Sequence, residues 1–361
     1  MQAIVLVGGE GTRLRPLTYD TPKPMIPVFG APFLERTLAR LHHAGINDVI
    51  LAAGYLPAAI TSYFGDGSRL GMKLTYAIEA EPLGTAGALR NVADHIRGPF
   101  FVLNGDVLTG LDLRAMLAVH RVQGGLGVLH LIRVDDPSAF GCVVHDAAGR
   151  ISQFVEKPPR ELAPTDEVNA GTYLLERRIL DAIPAGRNVS VERETFPQLL
   201  AAGAALYAHT TGDYWIDIGR PEHYLQAHRD LLDGRLTLEP LAGESAHSGA
   251  VVEPNQPSSP PAVRGRSYLS AGTTLADGAR VGPYAVLGAG TSVADGASVR
   301  DSVLWDGVVV EAGAQVDGAI LASNVRVGRG ARIEPGSVVG HGTIIEPSAI
   351  VPANARIPTP A

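Results

Sequence analysis

Residues 3–30 read AIVLVGGEGTRLRPLTYDTPKPMIPVFG. Ala3 to Val7 is a short apolar run rich in branched side chains, the length and composition of a buried β-strand. It ends in Gly8, Gly9 and Gly11, residues that let backbone N–H groups turn inward around an anion. Arg13, Arg15 and Lys23 follow and supply a positive complement of triphosphate size. Pro22, Pro24 and Pro27 alternate around Lys23 and predict a stiff, extended segment there. The glycines match neither the GxGxxG of a dinucleotide fold nor the GK[ST] ending of a P-loop. Taken alone they are equally well a strand-ending turn without a ligand, so the rest of the chain has to decide.

To about residue 230 short apolar runs alternate with helical spacing. Val49–Ala53, Pro99–Asp106, Leu126–Val134 and Asn169–Glu176 read as strands, and Phe33–Ala44, Leu111–Val122 and Glu222–Leu232 as helices. This alternation predicts a three-layer α/β domain, Rossmann-like, with a mostly parallel sheet. Ligands of such sheets bind beyond the carboxyl ends of the strands, where the Gly8 turn and the Asn104-Gly105-Asp106 turn both fall.

The stretch from Glu239 to Ala262 is rich in Ser, Pro and Gly and reads as a linker or poorly ordered loop. Beyond it one aliphatic residue recurs every six positions. Leu269, Leu275, Val281, Leu287, Val293 and Val299 are followed, after a short step, by Leu304, Val310 and Val316. After a second short step the series resumes as Leu321, Val327, Ile333, Val339, Ile345, Val351 and Ile357. Hexapeptide periodicity predicts a parallel β-helix of roughly five coils of ~18 residues. The expected division is 1–235, an α/β domain; 236–262, a linker; and 263–361, a β-helix.

The chain has 361 residues, 45% hydrophobic and 19% charged, with a net charge of −7. That acidic balance argues against a nucleic-acid surface and confines any polyanion site to a local patch. Cys142 is the sole cysteine, which excludes an internal disulfide and a Cys-rich metal site. No basic leader precedes the Gly-rich turn and no apolar run approaches ~18–20 residues, so a cytoplasmic protein with no membrane segment is expected. Of 30 basic residues only Lys23, Lys73 and Lys157 are lysines, which points to a compact ammonium at Lys23 and Lys157.

Asp106 follows an apolar strand, and Asp217 stands in YWIDIGRPEHY. Two carboxylates, phosphates and a few waters suffice for Mg2+, although an Asp in such a turn is also a common turn former. Glu156 and Lys157 are adjacent in FVEKP, where strand geometry alone would point them to opposite sides; Pro158 allows a bend that turns both inward. Glu192 and Arg193 lie in SVERETFP, part of which also reads as a helix cap. His42, His43, His95, His120 and His130 show no metal-ligand spacing. His341, in GHGTI, is the one histidine to consider for catalysis, since some β-helix acyltransferases use a histidine base, but no acyl-CoA pocket motif accompanies it.

GGEGTRLRPLT, PKPMIPV, EPLGTAG, NGDV, FGCVV, VEKP, NAG, SVERETFP and YWIDIGRPEHY occur in the order and approximate spacing of the sugar-phosphate nucleotidyltransferases. Within that family the chain most resembles bacterial mannose-1-phosphate guanylyltransferases, many of whose relatives carry a left-handed β-helix at the C-terminus. The resemblance implies transfer of a nucleotidyl group from GTP, or another nucleoside triphosphate, to mannose 1-phosphate or another sugar 1-phosphate. It implies Arg13, Lys23, Asp106, Lys157 and Asp217 as the catalytic set, with Mg2+ on Asp106 and Asp217. The nucleotide side comprises Leu6, Gly8, Gly9, Gly11, Thr12, Arg13, Lys23, Glu81, Gly84, Thr85 and Asp106, with Gly84, Thr85 and Gly87 allowing close approach to the base. Either Glu79 or Glu81 could select guanine. The sugar-phosphate side comprises Gly141, Glu156, Lys157, Asn169, Gly171 and Arg193. A dTTP- or UTP-dependent enzyme acting on glucose 1-phosphate and a non-catalytic regulatory paralogue are the competing readings. A homo-oligomer associating through the β-helix is also expected.

Overall fold

The structure is a computed structural model that describes residues 1–241, 249–254 and 260–358. Its contacts divide into two compact units, one of Met1–Gly9 with Thr37–Trp215, the other of Glu10–Arg36 with Ile216–Ala361. The spatial division therefore differs from the linear one at residue 235. The motif segment Glu10–Arg36 and the helix Pro221–Leu232 both fall with the β-helix.

In the first unit the strands are β1 Gln2–Leu6, β2 Asp48–Ala53, β3 Lys73–Ile78, β4 Phe100–Asn104, β5 Gly127–Arg133, β6 Gly141–His145, β7 Ile151–Glu156, β8 Glu167–Leu175 and β9 Leu206–Thr210. They form one sheet in the order β7-β6-β8-β4-β1-β2-β3, with β5 pairing β8 and β9. The portion β4-β1-β2-β3 is parallel, and β8 runs antiparallel to both β4 and β5. One face is closed by Ala86 and Leu89 of the helix Gly84–Asn91 and by Phe196 of Phe196–Ala201, packed on Ile4, Ile50, Val102, Leu129 and Tyr173. The predicted strands and helices all form, with ends shifted by no more than two residues.

His130 of β5 is fully buried, with Nε2 2.9 Å from Thr211 Oγ1 and Nδ1 without a hydrogen-bond partner. Burial, with His209 and Arg40 adding to it, lowers its pKa to about 3 from 6.5. The folded protein keeps this ring neutral while the unfolded chain protonates it below 6.5, so stability is lost as the pH falls from about 6.5 toward about 3. One such ring contributes a loss of roughly 1.4 kcal/mol between pH 7.5 and 5.5. Urea midpoints at the two pH values should therefore converge in His130→Gln; an unchanged acid loss would remove His130 as its source.

The second unit contains the β-helix. Its three parallel sheets align every residue of the hexapeptide series. Leu269, Leu287, Leu304, Leu321, Val339 and Ile357 form one stack. Leu275, Val293, Val310, Val327 and Ile345 form the second, and Val281, Val299, Val316, Ile333 and Val351 the third. The two short steps are tight corners, where Asp301 (φ 51°) and Gly318 (φ 56°) take the left-handed conformation. The stretch read as a linker falls partly on residues 242–248 and 255–259, outside the described residues. Within it Gly249–Val252 is a strand, antiparallel to Ser267–Ser270, so the β-helix sheet begins earlier than residue 263.

Glu10–Arg36 joins this unit through aromatic and hydrogen-bonded contacts. Phe29 stacks on Tyr268 with ring centroids 4.4 Å apart, and the buried Tyr224 hydroxyl donates to the Pro27 carbonyl. Arg229 makes a two-pronged ion pair with Asp301 that ties the helix Pro221–Leu232 to a β-helix corner. Among the described residues no helix is long and apolar enough to cross a membrane.

Candidate active site

In the first unit Leu6, Gly8, Gly9, Asp106, Asn169 and Gly171 gather at the carboxyl end of β1 and its neighbours. Leu6 lies opposite Ala52 of β2 and Asn104 of β4, and the Leu6 carbonyl accepts from the Gly105 N–H at 2.9 Å. A Cβ on Gly105 would come 2.4 Å from that carbonyl, so only glycine turns here and delivers Asp106 past the strand end. Gly8 and Gly9 are exposed beyond β1. Gly171 of β8 takes φ 75°, and a Cβ there would press on Asn104 Nδ2 at 2.6 Å. The Gly171 N–H donates to Asn169 Oδ1 at 3.1 Å, which places Asn169 and Asn104 at the same edge.

Glu156 and Lys157 do turn to one side. Lys157 adopts φ 50°, a conformation that costs a non-glycine residue energy and concentrates at functional sites. Its N–H donates to the Phe140 carbonyl at 2.9 Å, and Nζ lies 3.5 Å from Glu156 Oε1. Burial raises the Glu156 pKa, with Glu192 adding to the rise, while Lys157 and Arg193 oppose it. Gly141 pairs with Glu156 across β6 and β7, and a Cβ on it would strike the Phe154 ring and Glu156 Oε2. Gly141 is thus the space into which Glu156 fits.

The segment EPLGTAGAL is held through its glycines. A Cβ on Gly84 would lie 2.6 Å from the Val189 carbonyl, and one on Gly87 2.5 Å from the Arg187 carbonyl. The missing Cβ atoms allow close packing against residues 187–189. The Thr85 hydroxyl is also committed, donating to Glu192 Oε2 (2.9 Å) and accepting from the Val191 N–H (2.8 Å). Glu79 Oε2 accepts from the Leu83 N–H at 3.1 Å and braces the loop, whereas Glu81 is exposed.

Glu192 is the residue whose weight the sequence understates. Besides Thr85 it accepts from the Ser190 hydroxyl (2.8 Å) and from the buried Tyr173 hydroxyl (3.3 Å), and Tyr173 in turn accepts from Asn169 Nδ2 at 2.7 Å. One carboxylate so links the EPLGTAG loop to the NAG turn. Arg193 is exposed on the π-helical turn Val191–Thr195. The capping reading of this stretch holds: the Arg193 N–H donates to Ser190 Oγ and the Ser190 N–H to Glu194 Oε1. Tyr173 carried no signal beyond its strand, since its pairing becomes visible only across the sheet.

In the second unit Gly11 (φ 64°) opens the 3-10 turn Thr12–Leu14, which exposes Thr12 and Arg13. The Lys23 segment departs from expectation. Lys23–Met25 is a second 3-10 turn rather than an extended stretch, closed by the Met25 N–H to the Pro22 carbonyl at 2.8 Å. Pro24 is compatible because the early positions of a helical turn need no N–H donor. Lys23 is 8% exposed, its Nζ 4.0 Å from Asp217 Oδ1, and Arg13 Nη2 lies 3.9 Å from Asp217 Oδ2. The Gly219 N–H donates to Asp217 Oδ1 at 2.7 Å. A Cβ on Gly219 would fall 2.7 Å from Arg13 Nη2, 2.8 Å from Asp217 Oδ1 and 3.1 Å from Lys23 Nζ, so Gly219 is the floor of this cluster.

Two cations about one carboxylate beside a turn that opens on glycine is chemistry suited to an anion on the cations and a hard metal ion on the carboxylate. A family model described as nucleotidyl transferase matches residues 2–234. The chain belongs to that family. A second, described as the GMPPB C-terminal domain, matches residues 263–360 of the nucleotidyltransferase. A mannose-1-phosphate guanylyltransferase of Mycobacterium tuberculosis is 43% identical over 88% of this chain and 83% of its own. Mannose-1-phosphate guanylyltransferase 1 of Arabidopsis thaliana is 36% identical over 94% and 91%. Among solved structures, HddC from Yersinia pseudotuberculosis complexed with GMP-PN is 31% identical, with a TM-score of 0.55 over 64% of this chain and 99% of that one. The α/β fold and the nucleotidyltransferase class of this chain are those read from residues 3–30 outward.

Proposed function

We propose that this nucleotidyltransferase joins GTP and mannose 1-phosphate to give GDP-mannose and pyrophosphate. The observation that carries the choice of substrates is the identity to the Mycobacterium tuberculosis guanylyltransferase over nearly the whole chain. A phosphate oxygen of the sugar 1-phosphate forms a bond to the α-phosphorus of the triphosphate, and the bond from that phosphorus to the bridging oxygen breaks. The attacking oxygen is already anionic, so the chain needs no general base and no covalent nucleophile; its task is positioning and charge neutralisation.

Arg13 and Lys23 hold the triphosphate, and the Gly8–Gly11 turn offers its N–H groups. Lys157 holds the sugar phosphate, while Glu156 and Asn169 take sugar hydroxyls. Glu81, exposed where Glu79 is engaged, is the carboxylate assigned to the guanine N1 and N2 donors. Asp106 and Asp217 suit Mg2+ as hard oxygen donors. Asp217 Oδ2 stands 3.9 Å from Arg13, too far for a hydrogen bond to occupy it. Among the described residues no group of three or more His, Cys, Asp or Glu could hold an ion, as fits a cation that takes the rest of its shell from phosphates and water. When bound it would neutralise charge on the triphosphate.

Pyrophosphate release over a matrix of GTP, ATP, UTP and dTTP against mannose 1-phosphate and glucose 1-phosphate tests the proposal. Turnover is expected with GTP and mannose 1-phosphate. Faster turnover with UTP or dTTP and glucose 1-phosphate would replace the substrate assignment, and none with any pair would make this a regulatory paralogue.

A further inference from the structure

Within the second unit the segment carrying Lys23 is fastened at one end to a β-helix side chain and at the other to the helix Pro221–Leu232. His341 stands at the corner between the strands Val338–Val339 and Ile344–Ile345, and its Nε2 lies 3.1 Å from Thr21 Oγ1. The Leu17 main chain and Asp20 both act on the ring electrostatically. The edge of Trp305 meets the same ring at 5.3 Å between centroids. Trp305 Nε1 donates to the Tyr224 hydroxyl at 3.1 Å, and that hydroxyl donates to the Pro27 carbonyl. Thr21 on one side and Pro27 on the other are therefore fixed, with Lys23 between them.

We infer that His341 is a positioning residue for the triphosphate-binding lysine. By holding Thr21 it sets where the turn Pro22–Met25 presents Lys23 to Asp217. Thr21 is joined to Lys23 through Pro22 alone, whose ring fixes φ, so a shift at Thr21 passes to the lysine with little slack. His341 is not one of the stacked aliphatic positions; Val339 and Ile345 on either side of it fill that role. Its replacement leaves the coil's interior intact. The inference rests on the reading of Lys23 as a ligand of the triphosphate.

The full-length protein tests it with His341→Phe, which keeps a ring against Trp305, with Thr21→Val, and with His341→Gln, which keeps a polar atom within reach of Thr21. Loss of one hydrogen bond of about 1 kcal/mol corresponds to about a fivefold change. His341→Phe and Thr21→Val are each expected to weaken GTP binding and raise its KM about fivefold, with the KM for mannose 1-phosphate unchanged. The double variant should be no worse than either single, and His341→Gln should restore most of the loss. Unchanged GTP affinity in both singles would overturn the inference. So would an equal rise in both KM values or additive losses in the double variant, either of which marks a merely structural role. If the wild type turned over no pair of substrates, calorimetric binding of inorganic tripolyphosphate to the same variants would decide the role of His341, separately from the failed substrate assignment.

Discussion

Asp106→Asn is expected to lower kcat about a thousandfold or more while leaving the melting temperature nearly unchanged. The amide has the shape of the carboxylate, exchanging one acceptor oxygen for an NH2 donor, and the turn rests on the main-chain bond from Gly105 to the Leu6 carbonyl, so it stands. What disappears is the charge. On the proposed reading that charge acts through the Mg2+ it helps to hold, and a site that gathers two polyanions loses most when the cation offsetting their charge is no longer fixed. Activity of the variant measured across a Mg2+ series checks the role. Wild-type rates at ordinary Mg2+ would remove Asp106 from the metal site.

Gly219→Ala should cost about a hundredfold in kcat/KM through one added methyl group. Its position at the floor of the Arg13, Lys23 and Asp217 cluster leaves that methyl between 2.7 and 3.1 Å from three functional atoms. Gly219 is not among the residues with positive φ, so alanine strains nothing in the backbone and the whole effect falls on the cluster. Arg13 is half-exposed and swings away easily, but Lys23 is enclosed, with a side chain only 10% exposed. A displacement near 1 Å at a site of this kind is worth about a hundredfold. Steady-state kinetics beside circular dichroism would check it, and activity within about threefold of wild type would show that the cluster is not where the triphosphate is held.

The sequence made some of this visible and hid the rest for identifiable reasons. The β-helix was legible to the residue because its rule is local: one aliphatic side chain per six positions fixes both the coil and the register of all three stacks, and the two short steps mark the tight corners. The strand ends carrying Gly8 and Asp106 were legible because apolar runs that break into Gly or Asn have few other uses. Three features depended on partners far along the chain. The prolines around Lys23 imply stiffness, but they cannot say whether the stiff piece is straight or a turn. Gly84 and Gly87 read as a ligand loop, and their packing against residues 187–189 is visible only in the fold. The allegiance of Glu10–Arg36 to the β-helix unit rests on Phe29 meeting Tyr268 and Thr21 meeting His341, pairs that no local pattern announces.

That last pairing spans 320 residues, and the one between Tyr224 and Pro27 spans 197. On a ribosome adding ~5–20 residues per second, Thr21 waits roughly 15–65 s for its partner to be synthesised. The most recognisable piece of the chain is translated well before its partners and is fully secured only once the coil that carries His341 has formed. Until then its apolar side chains, Ile26 and Phe29 among them, are those of a nascent chain still lacking part of its packing surface, and such long-range closures are the slow and aggregation-exposed steps of folding.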